Sequence, residues 1–133
     1  MAQNNLITQF VDRVSSWDDI KANPHRFGGT EFNFGKVEIG HVHHHNGMVD
    51  IPFTVKIREA LVDEGLASLH HLLKDSGWIT FFIQDENTLE QAIWLMRLSY
   101  LQKTARRRGI DMTEIETINL SDTVKKATFP HLA

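Results

Sequence analysis

No cysteine occurs among the 133 residues, so the chain has no disulfide framework and no thiolate to serve as nucleophile or metal ligand. Proline is scarce, with three residues, and no repeat or low-complexity tract marks a linker. No apolar run approaches the ~20 residues a membrane helix requires. The N-terminus, MAQNNLITQFVDRV, lacks the charged start and apolar stretch of a leader. Basic residues are outnumbered 17 to 14, giving a net charge of −3, which argues against a general nucleic-acid binder. No G-x-G-x-x-G follows a strand pattern and no P-loop occurs, so there is no flavin or nucleotide motif. These absences lead to the expectation of a cytoplasmic protein that binds neither nucleic acid nor membrane.

What is present suits one globular domain. Hydrophobic residues make up 41% and charged residues 23%, and the length suffices for a core without staples. Leu6, Ile7, Phe10, Val11, Val14 and Trp17 recur at helical spacing behind Asn5 as N-cap, which predicts a helix over about 5–17. Pro24, with Asn23, Gly28 and Gly29, predicts a loop. From Thr30 the period becomes two: Phe32 and Phe34 share a face, as do Val37 and Ile39, with Gly35 at a turn or bulge between them. Asn46-Gly47 is a hairpin signal, and MVDIPF returns as the next strand.

Thr54 opens a second helix that Gly65 closes. ASLHHLL and WITFFI read as a hairpin joined at KDSG, with His71 opposite Thr80 and Leu69 opposite Phe82. Asn87 and Glu90 form a capping box for a helix over about 88–107, with Leu89, Ala92, Ile93, Met96, Tyr100 and Leu101 as its apolar stripe. Gly109 stops it. The layout is α+β: a single antiparallel sheet, meander plus hairpin, with helices packed mainly on one face. Residues 1–109 form the domain, and 110–133 are a C-terminal extension packing on it or on a neighbouring subunit; a homodimer stays open.

GHVHHHNG, residues 40–47, holds four of the eight histidines. On an unbroken strand His41, His43 and His45 share the face of Val37 and Ile39, while His44 points away with Val42 and Glu38. Alternate strand residues lie roughly 6.5 to 7 Å apart, so two imidazoles can lean onto one divalent transition-metal ion. A third ligand comes from His70, His71 or Asp50, and the set taken forward is His41, His43 and His71. The plainer alternative is a solvated hairpin end with His41 partly buried. The wider cleft comprises Glu38, His41, His43, Asp50, Arg58, His70, His71, Ser76 and Trp78. Each member has an ordinary role as well: Arg58 a surface cation rather than an anion clamp, Asp50 a helix cap, Ser76 a turn residue, and Trp78 a core lid. Arg106 to Arg108 complement a helix dipole.

The order FGGTEFNFG, VEIGHVH, DIPF, IREALVDEG, HHLLKDSGWITF, AIWLMRLSY resembles the luciferase-domain family, small proteins of bacteria and fungi, over about residues 24–101. The family pattern falls on Glu38, Gly40, His41, His43, Asp50, Pro52, Arg58, Gly65, Ser76, Gly77, Trp78 and one of His70 or His71. His44 and His45 lie outside it. The resemblance implies no mechanism, and the name is not chemistry. Flavin luciferases are (β/α)₈ barrels, a fold needing at least ~200 residues.

Three readings remain open. One is a ligand-binding or protein-interaction module with a histidine-lined cleft, its partner a small molecule or a protein, and this is the reading the residues favour. Another is a metal-dependent enzyme, hydrolytic or oxidative, built on the His-x-His pair. The third is a metal-free acid–base site with a histidine beside Glu38 or Asp50.

Overall fold

The structure, a computed structural model, describes residues 2–26 and 28–132; Phe27, which opens the FGGTEFNFG run, lies outside them. In chain order the elements are α1 (Ala2–Ser15), β1 (Ile20–His25), β2 (Gly29–Phe34), β3 (Val37–His43), β4 (Met48–Pro52), α2 (Val55–Asp63), β5 (Ser68–Leu69), β6 (Trp78–Phe82), α3 (Glu86–Arg108), α4 (Met112–Thr117) and α5 (Asp122–Thr128). The six strands form one antiparallel sheet in the order β1-β2-β3-β4-β6-β5. This is the expected α+β architecture. Among the described residues no helix is long and apolar enough to cross a membrane.

Outside β3, side chains alternate between the two faces of the sheet. Phe32, Phe34, Val42, Val49, Ile51 and Ile79 point to one face and are buried there beneath α1 and α3. Phe10 of α1 meets Phe32 edge-on at 5.9 Å, and the stripe read from the sequence of α3 is buried in full. Each such side chain contributes about 1.5–3 kcal/mol of burial, opposed by the entropy of ordering it. At the far end α5 packs on α2, and Val124 and Phe129 join Ile57 and Leu61 in the same core.

Thr54 caps α2 by accepting from the Ile57 N–H, and Gly65 at φ +72° ends it. The Leu66 N–H reaches the Leu61 carbonyl and the Gly65 N–H the Val62 carbonyl, as a left-handed C′ residue permits.

Several local expectations are corrected. α1 is already helical at Ala2, so Asn5 is inside it rather than capping it. The loop expected at Asn23 and Pro24 is a strand, β1; it lies at the sheet edge, where proline costs no ladder bond. The N-cap of α3 is Asp85, in a capping box with Thr88, two residues ahead of the pair expected. β5 is only two residues long, and its register places Ser68 opposite Thr80 and Leu69 opposite Ile79. His70 to Gly77 form an irregular loop instead of a longer strand.

The correction that matters most concerns β3. Phe32 pairs with Gly40 but Asn33 pairs with Glu38, so Ile39 is an extra residue, a β-bulge. The bulge resets the alternation. Ile39 and Val42 are both fully buried on the helix side, and Glu38, His41 and His43 share the opposite face. Val37 is exposed at the start of the strand. α3 holds the bulge in place: Ser99 Oγ donates to the Ile39 carbonyl at 2.7 Å, and a Cβ on Gly40 would lie 2.7 Å from the sulfur and methyl of Met96. Glycine at 40 is favoured by its backbone, at φ +155°, and by the close approach of Met96 and of the Asp50 carbonyl, 3.1 Å from such a Cβ.

Candidate metal centre

The strand register assembles the site. Asn23, Glu31, His41, Asp50, Thr80 and Ser68 form one row across all six strands, on the face the helices leave uncovered. In the next row Gly29 lies between His25 and His43. With no side chain there, the His25 ring folds over His41 and stacks on it at 3.9 Å. The site therefore sits on the rigid middle of a sheet, with one irregular rim, the 70–77 loop.

Asp50 is the hub, and it is 1% exposed. Its Oδ2 lies 3.3 Å from His41 Nε2 and 3.1 Å from His43 Nε2. Its Oδ1 accepts from Thr80 Oγ1 at 2.7 Å and faces His70 Nε2 at 3.7 Å. Behind His41, the Glu38 carboxylate accepts from Nδ1 at 2.6 Å, which leaves Nε2 as the nitrogen aimed at Asp50. His70 is oriented differently. Its Nδ1 accepts the backbone N–H groups of Leu72 and Leu73, both at 3.1 Å, so its Nε2 carries the hydrogen that points toward Asp50.

These partners shift the titrations. Burial alone pushes the His41 pKa down; the Asp50 and Glu38 carboxylates outweigh it and raise it to about 9. Burial pushes Asp50 up, and the hydrogen bonds from His41, Thr80 and His43 override it, lowering it to about 2. His43 and His70 are both held below the ordinary histidine value, chiefly by burial.

The donor set can hold a metal. Two ligand atoms each about 2.1 Å from one ion, at 90–110°, lie about 3.0–3.4 Å apart. The spacings from Asp50 Oδ2 to the two Nε2 atoms fall in that range. The three groups offer ligand atoms all within 4.8 Å of one another, and Asp50, His70 and His71 form a second such group. His71 thus converges with His70, stacked on it at 4.4 Å, and not with His41 and His43. The third partner of the His-x-His pair is Asp50.

The other expected cleft residues occupy ordinary places. Arg58 Nη1 donates to the carbonyls of Lys74 and Ser76, both at 2.7 Å, tying the 70–77 loop to α2. Ser76 Oγ donates to the Leu73 carbonyl and accepts from the Trp78 N–H, the work of a turn residue. Trp78 is on the uncovered face, half-buried between His41 at 5.6 Å and His70 at 6.0 Å, instead of in the core. His44 and His45 are exposed in the hairpin turn.

Three residues of the site escaped the sequence reading. His25 was hidden by Pro24 beside it; Glu31, which holds His25 Nδ1 at 3.0 Å, and Thr80 carry no motif. The signal available was parity: both alternate with buried core residues.

Residues 36–99 match the family model of the luciferase domain. The match spans Glu38, His41, His43, Asp50, His70 and Trp78, so the whole hub of the site lies within it. No curated protein and no solved structure matches the chain.

Proposed function

We propose that His41 Nε2, His43 Nε2 and Asp50 Oδ2 hold one divalent transition-metal ion, and that the protein is a metal-dependent enzyme acting on a small organic molecule at the uncovered face. The observation carrying this reading is the convergence of two imidazole nitrogens on one buried carboxylate oxygen at 3.1 and 3.3 Å. Two histidines and one carboxylate on one side of an ion leave coordination positions open, the arrangement typical of non-haem iron(II) sites. An ion held by these three residues would supply Lewis acidity toward a bound water or substrate oxygen. The residues behind the ligands fit: Glu38 fixes the tautomer of His41, and Thr80 with His70 orients the Asp50 carboxylate. Trp78 and Phe82 flank Thr80 on the same strand face and supply apolar surface for a ligand.

Untagged protein is loaded in turn with iron(II), manganese(II), cobalt(II) and zinc(II), desalted, and analysed for metal. The reading expects about one equivalent of at least one ion in the wild type and under about a tenth in His43→Ala. Less than a tenth of an equivalent of every ion in folded wild-type protein overturns it.

A second reading follows from His41 lying between two carboxylates, Glu38 at 2.6 Å and Asp50 at 3.3 Å. Without metal, that imidazolium is a proton donor held in place, and the site is an acid–base centre. Metal-free wild type with an ordinary His41 titration by NMR would remove this alternative.

A further inference from the structure

A groove lies away from the histidine cluster of the sheet, along the C-terminal half of α3. It has a volume of about 620 Å³ and runs between the start of α2, the end of α3 and the segment after α5. Its walls are apolar: Val55, Ile57, Ala105, Ile110, Phe129 and Pro130. Val55 and Ile110, both in this groove, remain 43% and 40% exposed. A smaller cavity of about 230 Å³, lined by Val37, Pro52, Phe53 and Lys103, adjoins it and shares Thr54, Gln102 and Arg106.

The charge of the groove is one-sided. Lys56 and Arg106 line the larger part, Lys103 and Arg106 the smaller, and no aspartate or glutamate lines either. The chain as a whole carries a net charge of −3, so this concentration of cations runs against its composition. Among the described residues neither Lys56 nor Arg106 has an ion-pair partner. Lys103 is different: its Nζ donates to the Pro52 carbonyl at 2.6 Å and to Ser99 Oγ at 2.9 Å, and it lies over the Phe53 ring at 5.6 Å. It anchors α3 to β4 and adds positive potential to the floor. Arg106, common to both cavities, is the free cation at their junction. An apolar trough of drug-sized volume with a few convergent polar groups is the usual form of a small-molecule site.

We infer that this groove binds an amphipathic carboxylate, with the acid group on Arg106 and Lys56 and the hydrocarbon tail along Val55, Ile110 and Phe129. The inference is independent of the metal reading, since the groove shares no residue with the histidine cluster.

Decanoate titrated into the full-length protein in EDTA, followed by amide NMR, tests it. Saturable shifts are expected at Val55 to Ile57, Ala105, Arg106, Ile110 and Ala127 to His131. Affinity should fall roughly tenfold or more in Arg106→Glu, a change of about 1.4 kcal/mol or greater. Decanol, which keeps the tail and loses the charge, should bind about as weakly as that variant. Arg106 is exposed, so the variant should melt with the wild type; Lys56→Glu is the second variant should it not. Shifts that do not saturate, shifts centred on the histidine face, or equal affinity for decanoate and decanol would each overturn the inference.

Discussion

The two faces of the sheet are built from the same strands and differ in almost everything else. On the helix side every second residue is apolar and buried, and contacts between large side chains hold the fold. On the other side the alternate residues are Glu31, Glu38, His41, His43, Asp50 and Thr80, joined by hydrogen bonds and covered by side chains such as His25 and Trp78 instead of by helices. The first face forms the core and the second gathers the titratable groups. A single extra residue at Ile39 determines which side chains fall on which face. Without the bulge, the parity of Ile39 would put His41 and His43 on the core side.

Substitutions on the two faces should therefore separate stability from binding. Phe32→Ala, deep on the helix side, should cost about 3–5 kcal/mol in chemical denaturation. Thr80→Val removes a hydrogen bond to a buried carboxylate and should cost about 1.5–3 kcal/mol, while raising the Asp50 pKa seen by NMR. Gly40→Ala drives a methyl into Met96 and should cost about 1–3 kcal/mol; as the bulge shifts, His41 should lose its hydrogen bond to Glu38. His45→Ala, at the exposed turn, should change stability by less than about 0.5 kcal/mol. A His45 effect as large as that at Phe32 would erase the distinction between the faces.

The metal-free protein should also report the polar face through pH. Folded His41 keeps its proton up to about 9, against an ordinary 6.5. Between these values the native state binds the extra proton at His41, so stability falls as pH rises from 6.5 toward 8; above that Lys103, lowered from 10.5 to about 8, acts in the opposite direction. His43 and His70 are shifted downward, so below 6.5 the unfolded chain takes up more protons and stability falls again. Asp50, lowered from 3.8 to about 2, adds to the acid loss. The melting temperature in EDTA should peak near pH 6.5, and His41→Gln should lose the alkaline decline. An unchanged alkaline limb in that variant would show that His41 is not held between its carboxylates.

Much of this was legible in the sequence, and the failures have physical causes. The helical stripe of α3, the α2 cap at Thr54 and the Asn46-Gly47 hairpin follow from local periodicity and turn chemistry, and each was read correctly. His41, His43, Asp50 and the His70–His71 pair are singled out by residue type and spacing, whereas Glu38 enters through the family resemblance, since unbroken strand parity turns it away from His41. Pro24 concealed β1, and with it His25, because an edge strand tolerates what a central strand does not. The bulge at Ile39 was invisible because it depends on Met96 and Ser99 of a helix some sixty residues away. The grouping of His71 with His70 was missed for the same reason: β5 ends at Leu69, where the chain turns into the loop held by Arg58.

The most direct test of the account is a cobalt(II) titration of untagged, metal-free protein followed by visible absorption. The account predicts d–d bands that saturate at one equivalent in the wild type and are absent in Asp50→Ala and His43→Ala, with the fold of both variants checked by amide NMR. A wild-type spectrum indistinguishable from free cobalt(II), or bands that survive loss of His43, would contradict it.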